Sequence, residues 1–145
     1  MSATILYRFA GVLLILFALG HTVGFLAFTP PTAEGLAVRD SMDAVHFQVR
    51  GRDYTYGGFY RGFGLFNSIF LVLGAVLAWQ LGGLAATAPE RVGIIGWAFC
   101  LAMVGSLILC SFYFNLVAVT LSAVVAICLG WAAWLVQRSA SVAGR

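Results

Sequence analysis

Four apolar runs, at about residues 5–28, 59–81, 92–113 and 116–136, constrain this chain more than any other feature. Each is near the ~20 residues that cross ~30 Å of hydrocarbon at ~1.5 Å per helical residue. Backbone groups in lipid must satisfy one another, so such runs become helices. They lack period-two alternation and far exceed the ~10 residues of a barrel strand. Charged residues are 9% of the chain and mean hydropathy is +1.00, which excludes a soluble domain. The predicted class is all-α: an integral membrane four-helix bundle forming one transmembrane domain over residues 1–145. The first run exceeds the ~7–15 residues of a signal peptide's apolar region, and Phe25-Leu26-Ala27-Phe28 has no small-x-small cleavage pattern. It reads as a span.

Basic residues set membrane orientation, and here they divide evenly. Arg8, Arg91, Arg138 and Arg145 fall on one side, and Arg39, Arg50, Arg52 and Arg61 on the other. Arg8 precedes the first helix, which usually dominates, so both termini are expected in the cytoplasm of a cell membrane. The chain has no lysine and its arginines are dispersed, which gives no nucleic-acid signature. Cys100, Cys110 and Cys128 lie inside spans without metal-ligand spacing and read as small packing residues; no metal site is predicted.

Between the first two spans, Pro30 and Pro31 end a helix. Val38, Met42, Val45 and Val49 then recur at i, i+4, i+7 and i+11, which predicts an amphipathic interfacial helix over residues 34–50. Such a helix can cover the bundle mouth as a lid, with Met42, Asp43 and His46 as the candidate lid residues. His46 lies three residues after Asp43 and four before Arg50, so a helix would align the three along one side. Residues 81–90, with Gly82, Gly83 and Pro89, read as a short flexible link to the third span.

Polar side chains inside apolar spans need a partner or a purpose. His21 stands about 16 residues into the first run, beside the Gly20-x-x-x-Gly24 pattern that permits close helix approach. In the second run Gly57, Tyr60, Gly64 and Asn67 fall on one stripe, with Arg61 and Ser68 at its edge. Tyr54, Tyr56, Phe59 and Tyr60 suit an interfacial aromatic belt, and Arg61 can snorkel toward the surface; Asn67 is too short to do so. Placed by depth in an alternating bundle, His21, Tyr60, Arg61, Asn67 and Ser68 share a membrane half with Ser106, Tyr113 and Ser122 of the third and fourth spans. The other half is nearly free of polar side chains. This predicts a ligand-binding cavity open toward the first loop and closed by hydrocarbon below.

The segments Gly20-His21-Thr22-x-Gly24 and Phe59-Tyr60-x-Gly62-Phe63-Gly64 resemble those of a small, largely uncharacterised group of four-pass bacterial membrane proteins. The resemblance covers roughly residues 5–80, implies the four-span fold and marks these positions, and brings no activity with it.

Three function classes fit. The first is a membrane protein that binds a lipophilic small molecule in the polar cavity. The second is an intramembrane enzyme, isomerase- or cyclase-like, moving a proton on a lipid, terpenoid or quinone, with His21 as acid or base and Tyr60 or Asp53 assisting. The third is bis-histidine haem ligation by His21 and His46. Besides the bilayer, both a homo-oligomer and a partner subunit are compatible with the sequence, which names no cofactor.

Overall fold

The structure, a computed structural model, describes residues 1–143; Arg145, counted above among the basic residues of one side, lies outside the described residues. The elements in chain order are α1 (Ala3–Ala27), α2 (Ala33–Ala44), β1 (His46–Val49), β2 (Arg52–Thr55), α3 (Tyr56–Thr87), α4 (Gly93–Tyr113) and α5 (Leu116–Ala143). The architecture is all-α apart from one two-stranded ribbon. Four helices are long and apolar enough to cross a membrane: α1, α3, α4 and the Leu116–Ser139 portion of α5. That is the make-up of a multi-pass membrane protein.

The first loop departs from expectation. Helix α2 starts where Thr32, extended at φ −116° and ψ 156°, accepts a hydrogen bond from the Gly35 amide on its hydroxyl (3.1 Å). It stops at Ala44 rather than continuing to residue 50, and residues 46–55 form an antiparallel hairpin with Phe47 opposite Tyr54 and Val49 opposite Arg52. Val45 and Val49 fit a helical stripe and a strand equally well. The arbiters are the β-favouring Phe47, Tyr54 and Thr55, and a tight turn at Arg50-Gly51, whose φ angles of 49° and 78° are both left-handed. His46 therefore occupies a strand, and its alignment with Asp43 and Arg50 along a helix does not exist.

The expected flexible link is also replaced. Helix α3 runs on to Thr87, and a short 3-10 turn at Pro89–Arg91 precedes α4. Gly82 sits inside α3 because a Cβ there would meet Arg8 Cγ at 3.1 Å and the Thr4 carbonyl at 3.3 Å. The glycine marks close helix packing, not flexibility. Helices α4 and α5 form an antiparallel hairpin, with the Asn115 side-chain oxygen accepting from the Ala118 amide (3.2 Å) at the start of α5.

The chain divides into two compact units, one of residues 1–17 with those from 71 onward, the other of residues 18–70. In the first, Tyr7, Leu14, Leu81, Val92, Val125 and Leu129 are fully buried. Tyr7 is held where a Cβ on Gly96 would come within 2.5 Å of its hydroxyl, and that hydroxyl has no hydrogen-bond partner among the described residues. Cys100, Cys110 and Cys128 are buried and unpaired there, as packing residues. The second unit carries the ribbon, α2 and the ends of α1 and α3 that flank them.

Candidate functional site

The polar residues of the second unit are brought together by the two helices that enter it. His21 on α1 sits with Nδ1 3.0 Å from Ser68 Oγ and Nε2 3.3 Å from Asn67 Nδ2, both on α3. An amide nitrogen donates, so with Asn67 in this orientation Nε2 is the acceptor and Nδ1 is left to donate to Ser68. Thr22 adds a hydroxyl 2.8 Å from Ser68 Oγ and 2.7 Å from the Ala18 carbonyl. The intrahelical carbonyls of Ala18 and Gly64 thus end a small hydroxyl–imidazole–amide network. His21, Thr22 and Ser68 are at least partly buried and each has a protein partner, whereas Asn67 is exposed.

One turn further along α1, Phe25 stacks on the His21 ring, with centroids 5.8 Å apart and an interplanar angle of 4°, and meets the Tyr60 ring at 5.3 Å. Its seat is Gly64: any Cβ at that position would collide with the Phe25 ring. The aromatic-Gly-Phe-Gly segment thus has a local physical purpose, to let a large ring lie directly on the α3 backbone. Gly57, one of the stripe residues, has a similar role, since a Cβ there would collide with the Asp43 carboxylate.

Phe25 and Tyr60 form part of the wall of a half-open cavity of about 450 Å³ that α2 borders. The wall is completed by Leu26, Phe28, Pro30, Val38 and Met42, and the charged side chains on it are Arg39, Asp40, Asp43 and Arg61. Arg61 Nη1 lies 2.8 and 3.1 Å from the two Asp43 carboxylate oxygens, a bridge that ties α2 to the first turns of α3. Both partners are about half exposed, 50% and 42%, so the bridge contributes at most about 1 kcal/mol. It is a latch rather than a rivet.

The expected site residues fall into three groups. Tyr60, Arg61, Met42 and Asp43 line the cavity. His21, Asn67 and Ser68 form the network that Phe25 caps, and they are not among the lining residues. Ser106, Tyr113 and Ser122 belong to the other unit and have local roles there: Ser106 donates to the Ala102 carbonyl (3.1 Å), buried Ser122 to Cys110 Sγ (3.6 Å), and Tyr113 is 76% exposed at the end of α4. His46 and Asp53, the other lid and assisting candidates, pair with each other across the ribbon at 2.6 Å, Nδ1 to Oδ2, with both side chains about half exposed. Among the described residues no group of three or more His, Cys, Asp or Glu side chains is placed to hold a metal ion.

Phe25 was missed by sequence reasoning. In an apolar run a phenylalanine looks like any lipid-facing or core residue, and the one signal was the glycine in a matching stripe of the next span. Arg39 and Asp40, which lie off the apolar stripe of α2, also border the cavity. No family model, curated protein or solved structure matches the chain.

Proposed function

We propose that this membrane protein binds a mainly lipophilic small molecule in the cavity beneath α2. The observation that carries the reading is the composition of that wall: rings and aliphatic side chains from Phe25, Leu26, Phe28, Val38, Met42 and Tyr60, with a charged border at Asp43 and Arg61. The charged border orients the polar end. Helix α2 acts as a lid, hinged after Pro30-Pro31 and held by the Asp43–Arg61 latch.

Binding is favoured over proton transfer because both His21 ring nitrogens already have protein partners and no carboxylate is among them. Haem ligation would have to draw His21 from Ser68 and Asn67, with His46 released from the ribbon. His21 instead supports Phe25, and through it the cavity wall. Both termini are assigned to the cytoplasm on the strength of Arg8 before the first span, which puts the α2 side on the opposite face.

The test is native mass spectrometry of protein purified in mild detergent. The wild type should carry a small molecule of defined mass that Tyr60→Ala loses while keeping its helix content. A wild type that carries nothing, and takes up nothing from a panel of quinones, terpenoids and fatty acids, would overturn the reading.

A further inference from the structure

The ribbon and the aromatic side chains around it lie outside the cavity and have their own chemistry. Its pairing puts Phe47, Val49, Arg52 and Tyr54 on one face and His46, Gln48, Asp53 and Thr55 on the other. The first face is aromatic and open. The Phe47 ring lies 5.9 Å from Tyr54, 4.8 Å from Tyr56 and 6.0 Å from Phe59, and Phe59 meets Phe63 at 4.8 Å in the next turn of α3. Tyr56, Phe59 and Phe63 remain more than half exposed, so this strip runs from the ribbon onto the exposed side of a membrane-spanning helix.

At the tip stand Arg50 and Arg52. The only carboxylate of the ribbon, Asp53, is on the opposite face and is engaged by His46. Arg50 is, among the described residues, the only non-glycine residue in the left-handed region. Asparagine is the residue that this first turn position ordinarily takes, because its short polar side chain relieves the strain. An arginine there is locally unfavourable, and a backbone strained in this way points to a use for the side chain.

We propose that the ribbon tip is a binding site for the phosphate of an anionic phospholipid. Arg50 and Arg52 offer guanidinium donors to the phosphate at the membrane surface. The Phe47–Tyr54–Tyr56–Phe59 strip lies in the interfacial layer, where amphipathic rings are most stable. The arrangement has the two parts that interfacial recognition needs, charge at the headgroup level and rings just beneath it.

The full-length protein in detergent, titrated with phosphatidylglycerol and with phosphatidylcholine of the same acyl chains, tests this by native mass spectrometry. The wild type should bind the first phosphatidylglycerol more tightly, and inorganic phosphate at matched ionic strength should not displace it. Arg50→Asn should lower that preference about fivefold while leaving thermal stability unchanged or raised, since one basic residue at a membrane surface is worth about that factor. Arg52→Gln should lower it similarly, and Arg50→Lys should keep most of it. An unchanged lipid preference in both Arg50→Asn and Arg52→Gln would overturn the proposal. So would equal loss of phosphatidylcholine binding, displacement by phosphate alone, or loss of a salt-sensitive second copy of the chain instead of lipid.

Discussion

The unit of residues 1–17 and 71 onward and the unit of residues 18–70 solve the problem of polar atoms in opposite ways. In the first, the buried polar groups are few and poorly supplied: Ser122 is buried against a cysteine sulfur, and the buried Tyr7 hydroxyl has no hydrogen-bond partner among the described residues. The second gathers them between elements, as the His21–Ser68–Asn67 network, the Asp43–Arg61 latch and the His46–Asp53 pair. The contrast teaches where stability and where function reside. A unit that buries a hydroxyl without a partner relies on packing, whereas one that places a half-exposed ion pair on a cavity wall leaves surface there that, on the proposed function, a ligand covers.

The contrast is broken most easily by truncation. Leu129 is completely buried on α5, and Leu129→Ala should destabilise the protein by about 2–5 kcal/mol, the range for a buried leucine that leaves a void. Met42→Ala on the cavity wall should cost about 1 kcal/mol or less, because that side chain already borders empty space. Thermal unfolding in detergent compares them, and equal losses would erase the distinction between the units.

Enlarging two glycines sharpens it. Gly96→Ala forces the fixed Tyr7 hydroxyl and should cost about 1–3 kcal/mol, part of which Tyr7→Phe should restore because it removes both the clash and an unsatisfied donor. At Gly64→Ala the obstructing group is the Phe25 ring, which has the cavity to swing into. That variant should lose the bound molecule with a smaller change in melting temperature. A melting temperature lowered as far as in Gly96→Ala would show that the Phe25 seat is structural.

The smallest effect is expected at the latch. Arg61→Gln should change stability by less than about 1 kcal/mol, since the pair is half exposed. Limited proteolysis at Arg39 should nevertheless quicken, because α2 is then held only by apolar contacts. Unaltered cleavage would mean that the ion pair does not hold α2 down.

The sequence carried much of this in its periodicity. The four spans were legible because hydrocarbon thickness sets their length, and depth alone matched His21 with Asn67 and Ser68. What failed was local and ambiguous. Val45 and Val49 satisfy a helical and a strand pattern together, so the helix was carried too far and the Arg50-Gly51 turn passed unnoticed. Gly82 and Gly83 suggested a link, although tight packing against Arg8 and Thr4 asks for a small residue just as strongly. Phe25 could not be distinguished from its neighbours, because its importance lies in one stacked imidazole and one bare stretch of backbone that no single helix reveals.

The central claim is that the space under α2 selects one kind of molecule from the lipid around it. A photoreactive amino acid placed at Met42 on the cavity wall, and in a second variant at exposed Leu109 on α4, tests this directly in cells. After irradiation and intact-mass analysis, the position-42 protein should carry one dominant adduct of defined mass, and the position-109 protein the spread of bulk phospholipids. The same phospholipid spread at both positions would contradict the account.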